Sequence, residues 1–158
     1  MGVLTDYFRA PGVAVVREQM EKRDGGPLVS ADRESAAFDG VELKSVDPEV
    51  ALGKLVAFAM DTEYSSGLVD NRLIWPEGGE QDTGHMGPWV VTLDDKTRDT
   101  LAGVPARRVP DLARRWADIE EFGGLLTPDD LRSALEQLTA LATRARDNGE
   151  SLYCWMCL

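Results

Sequence analysis

TPDDLRSALEQLTALATRARDNGESLYCWMCL, residues 127–158, holds a helix and a strand in one continuous run. Thr127 is a helix N-cap residue, and Pro128 fits the first helical position because its missing N–H would be unpaired there anyway. Asp129 and Asp130 place two carboxylates at the positive end of the helix dipole. Leu131, Leu135, Leu138, Ala142 and Ala145 then line one helical face, and Asn148-Gly149 supplies the stop. From Leu152 the period drops to two. Leu152, Cys154, Met156 and Leu158 form one alternating set and Tyr153, Trp155 and Cys157 the other. Both sets are apolar, as a strand covered on both faces requires. Such a strand belongs inside a sheet, and a sheet with amphipathic helices laid on it is an α+β domain.

Upstream the same signals recur. Val3, Leu4, Tyr7 and Phe8 predict an opening strand, and Pro11 suits the first turn of a helix carrying Val13, Val16 and Met20. Asp24-Gly25-Gly26-Pro27 stops that helix, and the polar, irregular residues 28–39 predict a loop with room for one helical turn. Val41 and Leu43 predict a brief strand. Asp47 can accept the free N–H groups of a helix that opens with Pro48 and Glu49 and buries Leu52, Leu55, Val56 and Ala59. Residues 72–75 predict another strand, ended by Pro76. Residues 77–88 hold four glycines, three acids and the lone histidine, too little apolar area to offset the entropy of ordering, and predict a mobile surface loop.

Trp89, Val91 and Leu93 alternate with Val90 and Thr92 as in a strand, after which Asp94 or Asp95 caps a short helix closing at Gly103. A longer helix through Val109, Leu112, Trp116 and Ile119 is expected to run to Gly123-Gly124. The expected architecture is a single domain over residues 1–158, a small mixed or antiparallel sheet with four to five helices packed on it.

Seventeen basic against twenty-eight acidic residues leave a net charge of −11, which repels nucleic-acid phosphates and anionic lipid and favours a protein partner with a basic surface. No run of about 18 apolar residues is present to cross a membrane. The expected setting is the cytoplasm. Two cysteines three residues apart make no secreted-type disulfide framework.

The candidate chemistry is sparse. Cys154 and Cys157 form a C-x-x-C, but redox use wants the first thiol at a helix N-terminus, and on a strand the two point to opposite faces. Buried structural cysteines are the expectation. His85 lies beside Met86 and Gly87 without metal-ligand spacing, so neither a metal nor another cofactor is expected. The acidic pairs Asp94/Asp95 and Asp129/Asp130 fall at helix starts, where capping accounts for them; Glu120/Glu121 is the third pair. No phosphate-loop or dinucleotide pattern occurs.

Four tryptophans, Trp75, Trp89, Trp116 and Trp155, all fall on expected strands or helices, where core packing is the plain explanation. Trp75 and Trp89 flank the 77–88 loop and, with His85, are the candidates for lining a groove. Arg108 and Arg115, seven apart, can share a helix face, pair with carboxylates such as Glu18 or Glu21, or touch a partner.

The opening Met1-Gly2-Val3-Leu4-Thr5-Asp6-Tyr7-Phe8-Arg9, the block from Val41 to Phe58 and the last helix running into residues 152–158 resemble the YfbM-like family of small bacterial proteins. The resemblance implies a cytosolic α+β domain and carries no functional residues over. The functional expectation is a non-catalytic interaction module of the immunity or regulatory type. The alternative is a small-molecule binder or small enzyme with a cleft beside residues 77–88.

Overall fold

The computed structural model describes residues 2–29 and 34–158. Its strands are β1 (Leu4–Ala10), β2 (Gly40–Lys44), β3 (Asn71–Trp75), β4 (Trp89–Leu93) and β5 (Ser151–Cys157). Its helices are α1 (Val13–Lys22), α2 (Ala51–Ala59), α3 (Asp95–Ala102), α4 (Val109–Ala117) and α5 (Pro128–Asp147). The strands form one sheet in the order β2-β1-β5-β4-β3, and every neighbouring pair is antiparallel. The α+β class is thus established, with five α-helices on a five-stranded sheet among the described residues.

The doubly apolar β5 takes the central place that its pattern requires. Leu152 and Cys154 join Tyr7, Val41, Val91 and Leu93 in the larger core, closed by α2, α3, α4 and α5. Tyr153 and Trp155 face the other way, with Phe8, Ala10, Ile74 and Val90, and are covered by Val16 and Met20 of α1. One ten-residue helix cannot roof that second face alone. Leu28 and Val29 are therefore buried there, and Phe38 stacks on Phe8 at 5.1 Å, which in turn stacks on Tyr153 at 5.4 Å. The segment expected to be a polar loop is in this respect part of the core, while its stretch 30–33, with any helical turn there, lies outside the described residues.

Local signals explain most boundaries. Thr127 Oγ1 accepts from Asp130 N–H, and the Asp130 carboxylate accepts from Thr127 N–H, a reciprocal capping box at the head of α5. Asp47 accepts from Val50 N–H at 2.7 Å and from Ala51 N–H at 3.0 Å, opening α2 from one turn upstream. Asp94 does the same for Thr97 in α3.

The helix expected to continue through Ile119 instead ends at Ala117. Ile119 turns extended, and a short 3-10 turn at Glu120–Phe122 folds Phe122 back edge-on against Trp116 at 5.7 Å. The break buries Ile119 and Phe122 together, each worth roughly 1.5–3 kcal/mol of apolar burial. Trp116 is fully buried, its indole N–H donating to Ala51 O at 2.9 Å.

Residues 77–88 carry a single 3-10 turn, Gly79–Gln81, and none of them is buried. Among the described residues, no helix is long and apolar enough to cross a membrane.

Candidate functional site

Alternation along β1 sends Thr5 and Tyr7 to the larger core and Asp6 and Phe8 to the opposite face. Thr5 and Tyr7 are satisfied locally: Thr5 Oγ1 accepts from Val46 N–H and Tyr7 O–H donates to Val46 O. Asp6 is not. It stands in a cross-strand row between Glu42 of β2 and Trp155 of β5, and only 6% of its surface is exposed. No ion pair reaches its carboxylate among the described residues. Burial, reinforced by the neighbouring Glu42 charge, raises its pKa from 3.8 to about 7, with the Leu43 N–H offsetting a little of the rise.

A cleft of about 640 Å³ opens over this row. Asp6, Pro27, Val29 and Trp155 line it on the α1 side of β2, and Leu126, Leu131 and Ala134 line it on the α5 side. Glu42, Lys44 and Asp130 supply its charged rim. The Trp155 indole N–H donates to Gly25 O at 2.8 Å, and Gly26 passes so close that a Cβ there would sit 2.6 Å from Nε1. At φ +97° that position also demands glycine, so the turn that ends α1 is what pins the cleft's aromatic wall.

A second depression of about 610 Å³ continues along β2 past Phe38 and Asp39 to Arg144. Here the charge balance is the reverse. Arg9 and Arg144 both grip Asp39, at 2.8 Å and 2.7 Å, and Arg9 also pairs with Glu150. Burial works against the Asp39 anion, but these two guanidinium groups hold its pKa below the usual range.

The residues singled out in the sequence separate into two groups. His85 rests edge-on against Trp89 at 5.6 Å, with Nε2 2.9 Å from Pro88 O, and Trp75 pairs with Val90 on the adjoining strand; all three are half-buried. Arg108 and Arg115 meet instead at Phe58. Arg108 donates to Ala59 O at 2.9 Å and to Phe58 O at 3.3 Å, satisfying the last carbonyls of α2, and also pairs with Asp61. Arg115 lies 4.6 Å above the Phe58 ring. Asp61 pairs with Arg108 and Asp111 with Arg114, the neighbour of Arg115, whereas Glu18 pairs with Lys22.

Cys154 is fully buried, its thiol pushed far up by burial, and Cys157 is half-exposed; both are free. Among the described residues, no three His, Cys, Asp or Glu side chains converge as metal ligands. Glu121 pairs with Lys54 at 2.5 Å.

Asp6 was not among the residues singled out. Its signal is a lone acid in an apolar strand, two positions from Phe8, and it becomes informative only once β1 is known to lie between two other strands. Chemically, a carboxyl that titrates near neutrality under an apolar cleft can exchange a proton or, as the anion, hold a cation. No family model, no curated protein and no solved structure matches the chain.

Proposed function

We propose that this chain is a non-catalytic protein-interaction module of the immunity or regulatory type, acting in the bacterial cytoplasm, whose acidic surface receives a protein with a basic face. The observation that carries the proposal is Asp6, a buried carboxylate that lines an open cleft and has no counter-ion among the described residues. Leaving a charge so placed destabilises the fold unless something outside the chain compensates it. Glu42 and Asp130 extend the negative character of the cleft rim, and the net charge of −11 steers a basic partner towards it and nucleic acid away. The resemblance to the YfbM-like family agrees with a bacterial cytosolic setting and assigns no residue a role.

The test is affinity purification of the tagged chain at low salt, with mass spectrometry of what a high-salt wash releases. A near-stoichiometric basic protein, lost when Asp6→Asn and Glu42→Gln are combined, is the expected result. A partner held equally well at high salt and by the neutralised variant would sink the electrostatic reading.

The second reading is a small-molecule binder or small enzyme, favoured by the cleft's volume of about 640 Å³, within the roughly 300–1,000 Å³ of ligand sites. Its original place, beside residues 77–88, keeps the His85–Trp89 contact as support. A ligand that raises the melting temperature, with the effect removed by His85→Ala, would place it there; loss with Asp6→Asn instead would place it on β2.

A further inference from the structure

We propose that the cleft over Asp6 is a binding site for an alkylammonium group, the chemistry of a lysine side chain, with the ammonium on Asp6 and Glu42 and the methylenes along Leu4, Pro27 and Trp155. Its biological source rests on the basic-partner reading above.

Three observations lead to this chemistry. The first is a contrast within the fold. Asp39, which lines the second depression, is gripped by Arg9 and Arg144, so this chain supplies cations to that acid. Asp6, more deeply buried than Asp39, receives none among the described residues. The second is geometry. Asp6 and Glu42 are direct cross-strand partners, which sets their Cβ atoms roughly 4.5–5.5 Å apart on one face. A compact ammonium with three donors can bridge two carboxylates at that spacing, one buried and one at the rim.

The third is the walls. Pro27, Val29 and Trp155 give the cleft an apolar flank suited to an aliphatic stem. A metal ion is a poorer match, because no three ligating side chains converge among the described residues.

The site is also proton-linked. The charged and titratable groups around Asp6 are Glu42 and Lys44 from β2, Asp130 from α5, and Cys154 on the far side of β5. Lys44 is the lone cation lining the cleft among the described residues. With Asp6 titrating at about 7, the ammonium must displace a proton at lower pH, so its affinity should rise about tenfold from pH 6 to pH 8.

The test titrates the chain of residues 1–158 with Nα-acetyl-lysine amide, following backbone and indole N–H signals by NMR, with Nα-acetyl-norleucine amide as the uncharged control. Saturable shifts centred on Asp6, Glu42 and the Trp155 indole are expected from the lysine compound alone, weakened at least tenfold by Asp6→Asn and strengthened with pH as above. No saturation by about 20 mM, equal shifts from norleucine, or shifts elsewhere on the sheet overturn the site. The pH series on the unmutated chain decides the matter even where Asp6→Asn perturbs folding, since a flat profile also overturns it. Lysine binding without any salt-released partner would leave the site standing and remove the partner reading. A salt-released partner without lysine binding would do the reverse.

Discussion

At Asp6 the chain accepts an electrostatic penalty that its neighbours avoid. Thr5 and Tyr7 are tied to the backbone at Val46, whereas Asp6 is buried among Trp155, Glu42 and Val29 with no ion pair among the described residues. In the folded chain its carboxyl stays protonated to about pH 7, against an ordinary value of 3.8. Its contribution to stability is therefore whole below 3.8 and is lost as the pH rises through 7. Asp6→Asn keeps the shape and removes the titration. Relative to the unmutated chain, the variant should gain about 2–3 kcal/mol between pH 5 and pH 8, measured by urea unfolding at both pH values. Parallel profiles would show that Asp6 is not held neutral by burial. This residue could not be recognised from sequence, because its environment is made by β2 and β5, which join it from 36 and 149 positions downstream in the cross-strand pairs with Glu42 and Trp155. Arg108 and Arg115 show another case: Arg108 lies in the 3-10 turn before α4 and Arg115 within α4, and that both reach Phe58 at the end of α2 was set by packing.

At the scale of elements, boundaries governed by local chemistry were legible and those governed by packing were not. Thr127 and Asp94 work as N-caps as their sequence positions suggest, because an N-cap needs only the next three or four residues, whereas α2 starts at Ala51 rather than at Pro48 and Asp47 binds the N–H groups of Val50 and Ala51 from the turn before it. Thr127→Ala should accordingly cost about 1 kcal/mol in chemical unfolding without altering the cleft; a loss several times larger would mean that the α5 cap also holds Leu126 in place. The end of α4 was misjudged because its early break serves the contact of Phe122 with Trp116, which no helical period can announce. Strand alternation, in contrast, settles the cysteines. Cys154 lies fully buried in one core and Cys157 points to the opposite face, half-exposed. In the native protein an aromatic disulfide reagent should titrate one thiol, and both after denaturation, while mild oxidation should yield no intramolecular disulfide. Two native thiols reacting at equal rates would contradict the strand assignment.

For the molecule as a whole, the decisive feature is that the strand nearest the C-terminus lies at the centre of the sheet, between β1 and β4. The sequence could say that β5 is covered on both faces, but not which strands flank it or which helices cover each side, since antiparallel partners as distant along the chain as Leu4 and Cys157, or Trp89 and Met156, leave no trace in local periodicity. The consequence is an uneven distribution of tolerance along the chain. Removing residues 151–158 deletes the register of β1 and of β4 at once and opens both cores, through Leu152 and Cys154 on one side and Tyr153 and Trp155 on the other. Residues 79–84 contribute no buried side chain, and shortening that loop changes closure entropy by only a fraction of a kcal/mol. Deleting 151–158 should abolish the cooperative thermal transition and near-ultraviolet circular dichroism, whereas replacing 79–84 by a two-residue link should shift the melting temperature by only a few degrees. If the truncated chain kept a cooperative transition, β1 and β4 would have to pair directly or the helices to hold a core without the sheet, and the assignment of β5 as the strand that joins the two halves would fall.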